Sequence, residues 1–162
     1  MAKVRAYIAL GSNLDNPTEQ LTLALSALRQ LKGSQLCAVS AFYQSTPLGP
    51  QDQPDYVNAV AALDTALSPL ELLDELQRIE IAQGRVRKRR WGERTLDLDI
   101  LLYGNHIIQS DRLTIPHYDM HQREFVIIPL FDIAPDLMLP HGQPLKQLAE
   151  QFKHHTMQKV RF

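Results

Sequence analysis

The sequence predicts an α+β fold, an antiparallel sheet with helices on one face, and three observations carry that prediction. Apolar residues alternate with polar ones in separate short runs, the mark of half-buried strands. Two longer runs set leucines at helical spacing, and each opens on a capping signal, Asn16-Pro17-Thr18-Glu19 or Ser68-Pro69-Leu70-Glu71. Taken in chain order these runs read β-α-β-β-α-β, the ferredoxin-like arrangement.

Each element has its own reason. Val4, Ala6, Ile8 and Leu10 alternate, so residues 4–10 read as a strand that Gly11-Ser12-Asn13 turns. The first helix carries Leu21, Ala24, Leu25, Leu28 and Leu31 on one stripe, and Gly33 closes it. Residues 35–45 read as one extended segment rich in Val, Phe and Tyr. Residues 46–55 hold three prolines and a glycine and read as a loop. A strand resumes over Tyr56 to Leu63. The second helix buries Leu72, Leu73, Leu76, Ile79 and Ala82 or Gln83, and Gly84 ends it. Residues 85–94 read as a basic loop and residues 96–103 as a central strand. Beyond Gly104 the expected additions are a hairpin over 107–115 and helices over 120–131 and 144–152, all within a single domain spanning 1–162.

Composition excludes several classes of protein. A net charge of −1 gives no global field for nucleic acid or membrane. Cys37 is the only cysteine, so neither an intrachain disulfide nor a cysteine-based zinc site is possible, and it is expected as a small, packed strand residue. Charged residues near Met1 stand where a signal peptide needs an apolar core, and no run reaches the ~18 apolar residues of a membrane span. A cytoplasmic monomer with small-molecule partners is expected.

Chemistry concentrates in Arg90-Trp91-Gly92-Glu93-Arg94-Thr95-Leu96-Asp97-Leu98-Asp99-Ile100-Leu101-Leu102. Residues two apart on a strand share a face at roughly 7 Å, so Asp97 and Asp99 lie together, with Leu96, Leu98, Ile100 and Leu102 opposite. Aspartate is unfavourable in strands and like charges repel, which points to a neutralising cation; magnesium takes one or two carboxylates and completes its shell with phosphate and water. Six basic residues and one acid between Arg85 and Arg94 can grip phosphate oxygens. Trp91 either stacks on a flat ring or anchors its loop. Tyr56 and Asn58 repeat the two-residue spacing, so an aromatic ring and an amide share a face that can stack on a heteroaromatic ring and read its edge, or simply pack. No glycine-rich phosphate loop of either common pattern is present. His117 and His121 lack the His-Glu-x-x-His pattern of a zinc site, whereas His117 near Arg112 and Arg123 could meet a phosphate. His154 and His155 are expected in a solvated tail. A rival reading, an RNA-binding sheet with a basic loop, leaves the two aspartates without a role.

These motifs resemble those of the 6-hydroxymethyl-7,8-dihydropterin pyrophosphokinase family. Four segments carry the resemblance: Ala9-Leu10-Gly11-Ser12-Asn13-Leu14, the run from Pro47 to Asn58, the run from Arg90 to Leu102, and Ile115-Pro116-His117-Tyr118-Asp119-Met120. The resemblance implies transfer of pyrophosphate from ATP to the hydroxymethyl group of a reduced pterin in folate biosynthesis, releasing AMP, on a ferredoxin-like fold. It implies two Mg2+ ions on Asp97 and Asp99, and catalytic roles for Arg85 and Arg94. Pterin contacts would come from Ser45, Thr46, Leu48, Tyr56, Asn58, Trp91 and Phe125. The ATP side would be lined by Gln77, Glu80, Arg87, Trp91, Arg94, Ile100, Arg112, Thr114, His117, Tyr118 and Arg123. Ser45 replaces the family's frequent threonine, and the loop between Arg87 and Trp91 is shorter than in relatives, so Lys88, Arg89 and Arg90 take no assignment.

Overall fold

A computed structural model describes residues 3–13, 17–45, 56–83, 96–117 and 120–160. Strand β1 (Val4–Ser12) leads to helix α1 (Pro17–Arg29), then β2 (Ser34–Val39), β3 (Tyr43–Ser45) and β4 (Tyr56–Thr65). Helix α2 (Pro69–Ala82) and strand β5 (Asp97–Tyr103) complete the β-α-β-β-α-β frame. The expected hairpin follows as β6 (Ile108–Gln109) and β7 (Thr114–Ile115), then a 3-10 turn (Met120–Gln122), α3 (Glu124–Ile133), α4 (Leu145–Glu150) and a short β8 (Gln158–Lys159). Among the described residues the main sheet runs β5-β1-β4-β3-β8, with β2 also paired to β4, and every pairing is antiparallel. This is the predicted ferredoxin-like fold.

The second strand is not one segment but two, because a side chain enters the ladder. The Ser40 hydroxyl accepts the Val60 amide at 2.9 Å and donates to the Ala41 carbonyl at 2.7 Å, displacing a main-chain bond and breaking the strand before Tyr43. A bulge between Leu36 and Ala38 leaves Cys37 exposed rather than packed. A second irregularity lies where β1 meets β5: Ile8 faces Ile100 but Tyr7 faces Leu102. Leu102 therefore leaves the face of Leu98 and Ile100 and joins Leu101 on the other.

Helices cover both faces of the sheet, not one. On the first face Ile8, Leu10, Ala61, Leu63, Leu98 and Ile100 pack against Leu21, Leu25 and Leu28 of α1 and Leu72, Leu76 and Ile79 of α2. On the second, Tyr7, Val60, Ala62 and Leu101 pack against Val126, Ile127 and Leu130 of α3 and Leu145 and Leu148 of α4. The sequence expectation missed this second layer because the core helix frame ends at β5. Strand β5 itself stands at the sheet edge, not at its centre.

Helix ends follow their signals with two adjustments. Ser68 and Glu71 form the predicted capping box, at 2.9 and 3.2 Å. Helix α1 stops at Arg29, and Gly33, at φ +72°, makes the turn into β2 instead of the helix end. The expected cap Asn16 and the expected stop Gly84 lie outside the described residues. His154 is exposed as expected, but His155 is half-buried, its ring edge-on to Tyr43.

Two predictions follow from these local contacts. Ser68→Ala removes the side-chain half of the box and should lower unfolding free energy by about 1 kcal/mol in urea titrations. The cross-strand pair Arg5–Asp64 holds the Asp64 carboxyl below the ordinary range, chiefly through the guanidinium hydrogen bond. A depressed carboxyl stabilises the fold above its unfolded value and loses that contribution as pH falls. Asp64→Asn should therefore be less stable by up to about 1 kcal/mol at neutral pH. The gap to the parent should close as pH drops below ~3.9.

Candidate active site

The site is built on one row of the sheet. Register places Asp97 of β5 opposite Gly11 of β1, Gly11 opposite Asn58 of β4, and Asn58 opposite Tyr43 of β3. Residues in register point to the same face, so all four stand on the α3 side. Strands lie 4.7–4.9 Å apart, which sets Asp97 and Asn58 about 10 Å from one another across a glycine. Alternation adds Asp99 and Tyr56 to this face, as their spacing predicted.

Gly11 is required by close approach. A Cβ there would lie 2.8 Å from Asn58 Oδ1, so the Asn58 amide lies over the space that a side chain would fill. Asn58 is 8% exposed and Tyr56 37% exposed: a fixed amide beside an open ring.

Asp97 is half-buried and Asp99 exposed. Between them the Leu98 amide donates to Glu80 Oε2 at 2.9 Å. Glu80 on α2 is 4% exposed, so a carboxylate is buried against the main chain of the aspartate strand. A charged acceptor roughly doubles the strength of such a bond, which fixes β5 to α2 at the level of the two aspartates. Among the described residues no three His, Cys, Asp or Glu side chains cluster as a metal cage. A pair of hard oxygen donors on one strand face suits Mg2+, which retains waters and needs no cage of protein ligands.

A second group forms where α2 meets the hairpin. Arg112 donates to Asp74 Oδ1 at 2.6 Å and reaches Gln77 Oε1 at 3.5 Å. Gln77 and Arg112 are thus brought together, with Asp74 as a partner that sequence reading missed. Both ends of the Arg112–Asp74 pair are exposed, so it is worth ~0–1 kcal/mol and readily exchanged for another anion. Thr114 and His117 lie close by in sequence, on β7 and just after the cis Ile115–Pro116 peptide, and the His117 amide donates to Leu101 O on the free edge of β5. His121 lies in the 3-10 turn rather than on an α-helix with His117, and burial, then the charge of His141, lowers its pKa. At the start of α3 the Arg123 guanidinium stacks over Phe125, 5.5 Å from its centroid. Ile100 points away, into the α1/α2 core, leaving its main chain as the part a ligand can meet. The Ser45 main chain is placed by pairing with Tyr56. Thr46, Leu48, Arg85, Arg87, Trp91, Arg94 and Tyr118 lie outside the described residues, as do both predicted loops.

Residues 7–135 match the family described as 7,8-dihydro-6-hydroxymethylpterin-pyrophosphokinase (HPPK). The chain belongs to this family. A relative from Haemophilus influenzae, 2-amino-4-hydroxy-6-hydroxymethyldihydropteridine pyrophosphokinase, is 69% identical over 157 residues, covering 97% of this chain and 98% of that protein. A protein of the same name from Pseudomonas aeruginosa is 59% identical over 144 residues, covering 89% of each chain. Among solved structures, Plasmodium falciparum HPPK-DHPS with pteroate superposes with a TM-score of 0.73 at 13% identity. That match covers 93% of this chain but 42% of the other, so the present chain spans less than half of that longer protein, and the likeness speaks for the fold.

Gly11→Ala should push the Asn58 amide aside. Overpacking of this kind costs about 1–3 kcal/mol. The expected readout is a lower urea midpoint together with a displaced Asn58 side-chain amide resonance; an unmoved resonance would show that the two residues do not touch.

Proposed function

We propose that the chain, as a single pyrophosphokinase domain over residues 1–162, transfers a pyrophosphoryl group from ATP to the hydroxymethyl group of 6-hydroxymethyl-7,8-dihydropterin. The products are the pterin diphosphate and AMP, in folate biosynthesis. The observation that carries this reading is the Asp97–Gly11–Asn58 row, set within a chain whose family match spans residues 7–135. A carboxylate and an amide on one surface, about 10 Å apart, support a cation site beside a bicyclic ring and its hydroxymethyl arm.

In this role Tyr56 and Phe125 sandwich the pterin and Asn58 hydrogen-bonds its edge, with main-chain contacts from Ser45, Thr46 and Leu48 and a further contact from Trp91. Gln77, Glu80, Arg87, Trp91, Arg94, Ile100, Arg112, Thr114, His117, Tyr118 and Arg123 line the ATP side. Arg112 exchanges Asp74 for phosphate. Asp97 and Asp99 would hold two Mg2+ ions, which would supply neutralisation of phosphate charge and a lower proton affinity for the attacking hydroxyl.

The pterin hydroxyl oxygen forms a bond to the β-phosphorus of ATP in line with the bridging oxygen. That bridging bond breaks, and AMP leaves with the oxygen while a phosphate oxygen takes up the hydroxyl proton and releases it to solvent when the products depart. Such transfer needs position and charge neutralisation more than covalent help. Arg85 and Arg94 stabilise the charge that develops, and the loops over 46–55 and 84–94 exclude water. No general base is assigned. The protein acts as a cytoplasmic monomer on small molecules, without nucleic acid or membrane partners; no described helix is long and apolar enough to cross a membrane.

The test is to incubate the protein with ATP, Mg2+ and the dihydropterin and to follow AMP and pterin diphosphate. Both products should appear in equal amounts. Asp97→Ala and Asp99→Ala should each lose turnover by at least about 100-fold, the scale of a removed electrostatic contact, with the unfolding midpoint retained. Binding of both substrates without AMP release would identify a sensor instead of an enzyme. Near-parental turnover in both variants would remove the metal assignment.

A further inference from the structure

Tyr43 sits where three parts of the molecule meet, and the proposed reaction gives it no role. It closes the functional row: its neighbours in register are Asn58 on β4 and Lys159 on β8. Its ring is 3% exposed and meets the edge of the His155 ring at 6.3 Å. Its hydroxyl donates to Asp132 Oδ2 at 2.5 Å. Two residues further on, Ser45 ends β3 where the chain enters segment 46–55.

Asp132 belongs to α3, whose sequence Glu-Phe-Val-Ile-Ile-Pro-Leu-Phe-Asp-Ile holds no other polar residue after Glu124. Apolar contact is non-directional and lets a helix slide or turn on a sheet. A hydrogen bond to a charged group is short and directional and fixes both movements. Phe125 and Asp132 are seven residues apart on α3, which is about two turns and returns to the same side of the helix. Pro129 lies between them and removes the amide that would otherwise bond the Phe125 carbonyl, so this part of the helix is held less firmly by its own ladder.

We infer that Tyr43 and Asp132 form a positioning pair that sets where α3 holds Phe125 relative to Asn58 and Tyr56, and so the width of the ring-binding slot. The inference rests on the proposed pterin clamp of Tyr56, Asn58 and Phe125. Neither residue touches the ring; each acts through α3 and β3.

The test measures affinity for 6-hydroxymethyl-7,8-dihydropterin by fluorescence titration and, separately, affinity for a non-hydrolysable ATP analogue. Tyr43→Phe keeps the ring and deletes only the hydroxyl. It should weaken pterin binding about 5- to 10-fold, the loss of one net hydrogen bond, while ATP-analogue affinity stays within about twofold. Asp132→Ala should match it, and the double variant should be no worse than either single, since one interaction is lost only once. Asp132→Asn retains an acceptor oxygen and should recover most of the affinity. Parental pterin affinity in Tyr43→Phe would overturn the inference, and so would equal weakening of both ligands, which marks general loosening. Phe125→Ala separates the two layers. Weak pterin binding there with normal binding in Tyr43→Phe removes the positioning pair alone. Normal binding in Phe125→Ala removes the clamp, and the inference with it.

Discussion

The register of β1 against its two neighbours is the constraint on which the rest depends. In a sheet the side-chain period is two, so a slip of one residue would carry Asp97, Asp99 and Asn58 beneath α1 and α2 and bring Leu98 and Ile100 to the other face. What prevents the slip is the dry face. Ile8, Leu10, Leu63, Leu72 and Leu76 are each at most 1% exposed, and each buried side chain of this kind is worth about 1.5–3 kcal/mol. The polar row has little packing energy of its own. It is held in place by hydrophobic burial on the reverse of the same strands.

The functional face changes from polar to apolar along each strand, one row later on β5 than on β1 and β4. On β4 it reads Tyr56, Asn58, Val60, Ala62; on β1 Gly11, Ala9, Tyr7; on β5 Asp97, Asp99, then Leu101 and Leu102. Asp99 alone extends the polar region, level with Ala9 and Val60. Helix α3 seals the apolar rows with Val126, Ile127 and Leu130, and Phe125 in its first turn packs against the same cluster. In the proposed role a ligand on the polar rows has the sheet as its floor and Phe125, from the start of α3, as a second contact.

Local chemistry was legible and long-range pairing was not. The capping box at Ser68, the strand periods, and the shared faces of Asp97 with Asp99 and of Tyr56 with Asn58 all depend on neighbours within four residues. The side-chain insertion of Ser40, the bulge that exposes Cys37 and the irregularity that moves Leu102 depend on which strand lies alongside. So does the need for glycine at position 11, which only appears once Asn58 is opposite. The same ignorance of neighbours put β5 at the centre of the sheet. Its leucine-rich composition fits a strand buried on both faces, and from Ile100 onward it is so buried, by α2 on one face and α3 on the other, while the chain that follows β7 meets its edge.

That edge position explains how two aspartates are tolerated on one strand. At roughly 7 Å their mutual repulsion is about 0.6 kcal/mol in water and about 2.4 kcal/mol at an effective dielectric of 20. Asp99 is exposed and Asp97 half-buried, which keeps the repulsion towards the lower figure. On a central strand packed on both faces it would be larger, and a hydrated ion would have no approach. Glu80 adds a third carboxylate behind the strand, but its Oε2 takes a main-chain donor, so burial is offset by a bond that also fixes the aspartates' spacing. Residues that break a local rule, here acids in a β-strand, are the usual sign of function. In the proposed role the residual repulsion is the part of the stability that a divalent cation recovers on binding.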